Sequence, residues 1–370
     1  MKILFACGGT AGHINPAIAV ASYIRERHTD AKILFAGNPK GMEAKLVPAA
    51  GFEFVPIDIK GFQRQLSWFN IKYNLSAIKC LALSGGRCRK IIQDFGPDVM
   101  VGTGGYVSGP LLRKGHQMGI KTLTHESNAF PGVTTKLLAK YCDKVLLSVE
   151  EAKKYLPSRE YVITGNPVRE EIIFADHKKA REKLQVGDRV CIVSFGGSLG
   201  ARRINEAVAG LMAWEQRKGG IYHIHATGAY EKQRFPLQLQ KAGVNYKNNP
   251  NLDIREYISD MPDCLAAADL VISRSGAITL SELEASGTAS ILIPSPNVAE
   301  NHQYHNAMVL AHHDAAVVIE EKDLTPKLML ETVEKLCQDP ATLKRLGKNA
   351  QQMAIIDANQ RIYKEIIDLI

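Results

Sequence analysis

An α/β fold of two doubly wound, parallel-sheet domains is what this 370-residue sequence predicts, and three observations carry the prediction. Short apolar runs rich in Val, Ile and Leu alternate with stretches of helical period, the pattern of strands buried on both faces of a parallel sheet. The alternation breaks near Asn166-Pro167-Val168-Arg169 and restarts as a second series of similar length. Glycine-rich turns follow the first and fourth strands of the first series and the first strand of the second, where open parallel sheets bind ligands. Such a length also exceeds one average domain. The expected domains are residues 1–164 and 165–349, two Rossmann-like halves facing each other across a cleft, with a C-terminal helix (350–370) returning to the first.

In order, the first-series strands are Lys2–Cys7, Lys32–Ala36, Phe54–Ile59, Val99–Val101, Thr122–Thr124, Lys144–Ser148 and Tyr161–Thr164. The helix after the first strand is expected from near Pro16, because proline favours a helix's first turn. A charged helix over His177–Leu184 opens the second half. Its strands are Val190–Phe195, Tyr222–Ala226, Leu252–Tyr257, Leu270–Ser273, Ser290–Ile293 and Ala316–Ile319. The tail after Pro340 is helical, with Ile355, Ile356, Ile362, Ile366 and Ile367 available for an apolar face.

Composition narrows the class. Charged (23%) and apolar (45%) fractions are those of a soluble globular protein. No apolar run approaches the ~18–20 residues of a membrane-spanning helix, and the apolar start is too short for a signal peptide. The cysteines (Cys7, Cys80, Cys88, Cys142, Cys191, Cys264, Cys337) are odd in number, with no C-x-x-C pair. That points to a reducing cytoplasm and away from a disulfide or zinc framework. The net charge of +8 is concentrated. Lys60, Arg64, Lys72, Lys79, Arg87, Arg89 and Lys90 lie between Ile59 and Gln93 without one acidic residue. Phe62, Trp68, Phe69, Ile71 and Tyr73 are interleaved with them. That mixture suits an anionic membrane surface, each nearby cation contributing about 1 kcal/mol, with Trp68, Phe69, Arg87, Arg89 and Lys90 as the candidates. A solvated face over ordinary core residues is the other reading. No nucleic-acid motif accompanies the charge.

The chemistry concentrates in Val271–Asn306. There an apolar run ends in Ser-Arg-Ser-Gly, a helix starts near Ala277 with Glu282 one turn in, and a polar loop, Glu300-Asn301-His302-Gln303, follows the next strand. A helix start behind a Ser/Gly turn offers N–H groups and the positive end of the dipole to an anion. Glu282 suits ribose hydroxyls, and the loop amides suit a sugar. With the turns Gly8–His13, Gly102–Gly109 and Gly196–Ala201, this reads as a nucleotide-sugar cradle; an ordinary βαβ unit of an α/β core is the other reading. Neither domain's first loop matches G-x-G-x-x-G, and the second strands end in Ala36-Gly37-Asn38 and Ala226-Thr227-Gly228 without the acid a dinucleotide ribose needs. A P-loop is also absent.

Taken together, GGTAGHINPA, GTGGYVSGP, HESN, GNPVR, GGSLGA, EYISDMP, RSGAITLSE and ENHQYHNA, in order from Gly8 to Ala307, resemble the MurG family of UDP-N-acetylglucosamine (UDP-GlcNAc) transferases. The resemblance implies the GT-B fold, no cofactor and no obligatory metal. It implies inverting transfer of GlcNAc to the 4-hydroxyl of MurNAc-pentapeptide on undecaprenyl diphosphate (lipid I), giving lipid II for peptidoglycan. A peripheral position on the cytoplasmic side of the cell membrane is implied too, with cell-wall synthesis proteins as possible partners. Carried onto this chain, it places Ala277, Ile278 and Thr279 beside the donor diphosphate and sugar, and Glu282 on the ribose. Ile258 lines the uracil pocket, Ser198 meets a phosphate and Arg169 lies near the diphosphate. Asn128 and Gln303 contact GlcNAc. Thr10, Ala11, Gly12 and His13 face the donor from the acceptor domain, and Gly104, Gly105 and Tyr106 are candidates for the acceptor diphosphate. Four residues depart from the usual pattern: Ala11 for Gly, Ser127 for Gln, Ile278 for Leu, and His302 for the first of two glutamines.

Inversion needs a base to take the acceptor proton as UDP leaves, and N–H groups with Arg169 to stabilise the leaving diphosphate. His13 is the leading candidate base, since a neutral imidazole accepts a proton near neutral pH; His125 and Glu126 are rivals. His302/His305 and His223/His225 are metal-capable pairs without a third ligand at suitable spacing. Arg274 reads as structural or as a neighbour of the diphosphate. The alternatives are another UDP-sugar glycolipid transferase, a UDP-GlcNAc 2-epimerase and a non-catalytic nucleotide-sugar sensor.

Overall fold

Residues 1–59 and 84–370 are described by the computed structural model; Trp68 and Phe69 lie outside them. The strands are β1 (Lys2–Ala6), β2 (Lys32–Gly37), β3 (Glu53–Pro56), β4 (Val99–Gly102), β5 (Lys121–Glu126), β6 (Lys144–Leu147) and β7 (Val162–Ile163). They form a seven-stranded sheet in the order β3-β2-β1-β4-β5-β6-β7. A six-stranded sheet follows, ordered β10-β9-β8-β11-β12-β13. Its members are β8 (Val190–Phe195), β9 (Ile221–Ala226), β10 (Leu252–Arg255), β11 (Leu270–Ser273), β12 (Ala289–Leu292) and β13 (Val317–Val318). Every pairing is parallel.

Side-chain alternation explains the layers. Ile3 and Phe5 of β1 face the helix Ala11–Arg27, joining Ile14, Ala17, Val20, Ala21 and Ile24 in one buried cluster. Leu4 and Ala6 point the other way and join Val107, Leu111 and Leu112. Successive strand residues alternate in face, and a helix presents an apolar stripe every three to four residues. Two helices thus cover one strand. In the second unit, Ile192, Leu270, Ile272, Ile291 and the helix Arg202–Lys218 build the matching core.

The first helix begins at Ala11, five residues before the expected Pro16. Thr10 is its N-cap, and Pro16 lies inside the helix. Proline lacks the N–H that would bond the Gly12 carbonyl, and the helix accommodates it in its second turn. The difference matters because it puts Gly12 and His13 in the first turn.

Two compact units result, Met1–Pro167 with Asp357–Ile370, and Val168–Ile356. The sequence reading placed the break at 164/165 and gave all of 350–370 to the first domain. In the structure Pro340–Met353 is a helix of the second unit. Ala354 is extended (φ −63°, ψ 129°), and a separate helix, Ala358–Ile367, returns. Ile362 and Ile366 are buried against the first core, whereas Ile356 is exposed. Tyr363 Oη lies 2.7 Å from His28 Nε2, and Lys144 Nζ donates to Glu365 at 2.6 Å. Removing a buried isoleucine side chain costs about 2–5 kcal/mol. Ile366→Ala is therefore expected to lower the stability of the first unit by that amount in chemical denaturation; a loss below about 1 kcal/mol would show that the tail does not seal this core.

Candidate active site

Strand order reverses between β1 and β4 and again between β8 and β11, and the crevice at such a reversal is where open sheets bind ligands. Register brings the loops together. Ala6 pairs with Gly102, and Phe195 with Ser273, so each unit's two glycine-bearing turns leave the sheet side by side.

In the first unit the turns Gly8–Gly12 and Thr103–Tyr106 touch through glycine. A methyl group on Gly105 (φ 82°) would overlap the Gly8 carbonyl, and one on Gly104 would lie 2.7 Å from His13 Cδ2. Thr103 Oγ1 donates to the His13 carbonyl at 2.6 Å, and Ser108 Oγ lies 2.7 Å from both the Ala6 and the Gly104 carbonyls. The Thr10 side chain makes no capping bond, and no acidic residue occupies the first turn. The N–H groups of Ala11 and Gly12 therefore head an uncapped helix, the arrangement that binds anions. Ala11 is itself a helical residue, so its methyl is accommodated. The half-buried His13 ring has Nδ1 3.2 Å from the Gly8 carbonyl and 3.3 Å from Thr10 Oγ1. A carbonyl can only accept, so Nδ1 carries the proton and Nε2 the lone pair.

The rival bases are placed differently. His125 is 1% exposed, and its Nε2 donates to the Gly165 carbonyl at 2.9 Å; burial holds it below the ordinary imidazole value. Both oxygens of the buried Glu126 are engaged. Oε1 accepts from Asn128 N and Nδ2 at 3.0 Å, and Oε2 from Gly132 N at 3.0 Å and Thr135 Oγ1 at 2.5 Å. Glu126 organises the loop that carries Asn128 rather than presenting a free carboxylate. Sequence reasoning also missed Glu43, a fully buried carboxylate behind the first glycine turn. Its only sequence signal is the pair of small residues, Gly37 and Gly41, that make room for it.

In the second unit the helix Ala277–Ser286 starts at Gly276 with no side-chain cap. Its first intrahelical bond is Leu280 N to the Gly276 carbonyl at 3.0 Å. The N–H groups of Ala277, Ile278 and Thr279 therefore open the helix without one. One turn on, Glu282 Oε1 accepts from Arg169 Nε at 3.2 Å and Nη2 at 3.0 Å. Burial pushes the Glu282 carboxyl above its usual value, and the guanidinium pulls the other way. Ser198 is exposed in the Gly196–Ala201 turn, which heads the uncapped helix Arg202–Lys218. A methyl group on Gly200 would overlap the Thr227 carbonyl. Gln303 Oε1 accepts from Ser295 N at 2.9 Å, so its NH2 is what it offers a sugar. The preceding Glu300 and Asn301 both have positive φ (53° and 50°), an unusual pair for non-glycine residues. Ile258, expected to line a base pocket, is only 2% exposed. Arg274 is structural: it donates to the Ile293 and Pro294 carbonyls and pairs with Glu321.

His223 and His225 serve a buried chain. His223 Nδ1 lies 2.8 Å from Glu215 Oε1, and Ser194 Oγ lies 2.7 Å from both His223 Nε2 and His225 Nδ1. Among the described residues no group of three or more His, Cys, Asp or Glu is arranged to hold a metal ion.

Family models match both halves: the glycosyltransferase family 28 N-terminal domain over residues 3–147 and its C-terminal domain over residues 191–362. The chain belongs to glycosyltransferase family 28. Over 100% of its length and 98% of the relative's, it is 46% identical to a protein of Acetivibrio thermocellus. That relative is named "UDP-N-acetylglucosamine–N-acetylmuramyl-(pentapeptide) pyrophosphoryl-undecaprenol N-acetylglucosamine transferase". A Thermoanaerobacter protein of the same name is 42% identical, with 99% of each chain covered. The crystal structure of Acinetobacter baumannii MurG is similar as well, with a TM-score of 0.80 and 26% identity over 99% of each chain.

The buried His225 makes stability pH-dependent. Burial, then the neighbouring His223, holds His225 well below the ordinary imidazole value. Unfolded, it takes up a proton near pH ~6.5; folded, it does not. The unfolded state then binds more protons, and stability falls as pH drops below about 6.5. Denaturation midpoints measured downward from neutral pH should fall less steeply for His225→Asn than for wild type; equal slopes would contradict this account.

Proposed function

We propose that this chain transfers N-acetylglucosamine from UDP-GlcNAc, with inversion, to the 4-hydroxyl of MurNAc-pentapeptide on undecaprenyl pyrophosphate, giving lipid II. The observation that carries the donor half is the uncapped start of the helix Ala277–Ser286, with Glu282 one turn in and Arg169 against it. Diphosphate oxygens accept from Ala277, Ile278 and Thr279 N–H, and Ser198 meets a phosphate from the adjoining turn. Ribose hydroxyls donate to Glu282, Ile258 meets the uracil, and Gln303 reads the sugar. Full-length relatives that carry the transferase name support the acceptor half.

The first unit takes the acceptor. Uncapped N–H groups at Ala11 and Gly12, behind Thr10, with Gly104, Gly105 and Tyr106, hold its pyrophosphate. His13 Nε2 takes the proton of the 4-hydroxyl as that oxygen bonds the anomeric carbon and UDP leaves with the bonding electrons. Arg169 and the helix-start N–H groups stabilise the charge that develops on the diphosphate.

The acceptor's lipid tail keeps it in a bilayer, at about 0.8 kcal/mol per CH₂, so the enzyme works at the cytoplasmic membrane surface as a peripheral protein. Among the described residues no helix is long and apolar enough to cross a membrane. Residues 84–95 are helical, with Cys88 and Ile92 buried and Arg87, Arg89 and Lys90 exposed. Arg87 also faces Asp58 at 3.8 Å, which leaves Arg89 and Lys90 as the stronger contacts. Replacing both by Gln should weaken binding to anionic vesicles about thirtyfold, at about 1 kcal/mol per charge, with neutral vesicles unaffected. Unchanged binding to anionic vesicles would remove these residues from the surface.

The reaction is tested by UDP release with UDP-GlcNAc or UDP-GalNAc, with and without a short-chain lipid I analogue. Release that requires both UDP-GlcNAc and the analogue is expected. Glu282→Gln should raise the KM for UDP-GlcNAc about tenfold or more, the scale of a hydrogen bond to a charged group. Acceptor-independent consumption of the donor contradicts the reading.

A further inference from the structure

The buried Glu43 is the one carboxylate at the first glycine turn, and the reaction above gives it no task. It opens the helix Glu43–Ala49 and has no exposed surface. A carboxylate buried this deeply is tolerated only when it is hydrogen-bonded. Its two oxygens take separate backbone donors: Oε1 accepts from Asn38 N at 2.9 Å, and Oε2 from Gly9 N at 3.3 Å. The space it fills exists because three neighbours lack a side chain. A methyl group on Gly8 would lie 2.5 Å from Glu43 Oε1, and methyl groups on Gly37 or Gly41 would overlap the same side chain.

The Gly9 N–H belongs to the peptide unit whose carbonyl is Gly8 C=O. In a trans peptide the two point in opposite directions. Holding the N–H on one side therefore aims the carbonyl to the other, where His13 Nδ1 lies 3.2 Å from it. Gly9 has φ 91°, a conformation that only glycine adopts readily, so this peptide orientation is one that needs fixing. On the far side of the ring, Gly104 leaves room for the imidazole.

We propose that Glu43 is a positioning residue for His13, acting through the Gly8–Gly9 peptide: it grips the N–H so that the carbonyl holds the Nδ1 proton and Nε2 is left to accept one. This rests on His13 being the base of the transfer. The carboxylate also polarises the peptide, which strengthens the carbonyl as a partner for the imidazolium formed when Nε2 takes the acceptor proton. The arrangement does the work of a carboxylate bonded directly to a histidine, with one peptide group interposed.

Glu43→Gln keeps the size of the side chain but has one acceptor oxygen for two N–H donors, and it removes the charge. Nitrogen NMR of the His13 ring is the direct readout, alongside kcat and KM. In the wild type Nδ1 should carry the proton. In Glu43→Gln the ring should become a mixture of tautomers, with kcat reduced about tenfold or more, the usual scale for losing the group that orients a histidine, and KM for UDP-GlcNAc unchanged. A wild-type ring protonated at Nε2 overturns the proposal without any variant, so failure of Glu43→Gln to fold does not shelter it. A folded Glu43→Gln protein with the wild-type tautomer and kcat overturns it equally. The base assignment fails separately: His13→Ala with near-normal turnover removes His13 from the chemistry, while the tautomer measurement still decides whether Glu43 sets the ring.

Discussion

The approach of two glycine turns at one sheet reversal is the constraint on which the first unit depends. Gly105 comes so close to the Gly8 carbonyl that no side chain fits between them. That closeness lets Thr103 hold the His13 backbone and Gly104 receive the His13 ring. Parallel register between β1 and β4 starts both turns at the same height. Any residue larger than glycine at 105 would push the turns apart, and with them the only half-exposed histidine of the turn. The same economy recurs in the second unit, where Gly200 packs against the Thr227 carbonyl. There the uncapped helices Arg202–Lys218 and Ala277–Ser286 follow the paired strands β8 and β11.

Electrostatics then distribute the roles. Both units present uncapped helix starts without acid in the first turn, so the dipole and N–H groups favour anions. The two carboxylates close by are each held by donors. Glu43 is bonded to backbone N–H groups, and Glu282 is bridged by Arg169. The backbone donors at the helix starts are fixed by the fold, the kind of preorganised group that stabilises developing charge without reorganising.

Much of this was legible in the sequence, for physical reasons. Strands buried on both faces read as continuous Val/Ile/Leu runs, so each strand was placed within a few residues of its final bounds. The glycine turns were visible because only glycine tolerates the close approaches and positive φ they need. What escaped depended on tertiary packing. Pro16 looked like a helix start, yet the helix already begins at Ala11. The isoleucines of the tail looked like one face, yet an extended Ala354 splits them between units. Glu126 looked catalytic from its strand-end position, and only the four donors around it reveal its structural task. Glu215 carries no local signal, and Glu43 only the nearby Gly37 and Gly41, because their partners come from other elements. Trp68 and Phe69 were expected at a membrane and lie outside the described residues.

The central claim is that the helix start at Ala277 and the Arg169–Glu282 pair form the donor site. A crystal structure of the chain soaked with UDP tests it most directly. The account predicts diphosphate oxygens within hydrogen-bond distance of the Ala277–Thr279 N–H groups and ribose hydroxyls on Glu282. Arg169 should be turned from that carboxylate toward the phosphates. Nucleotide bound elsewhere, or bound with the Arg169–Glu282 pair intact and the helix start empty, would contradict it.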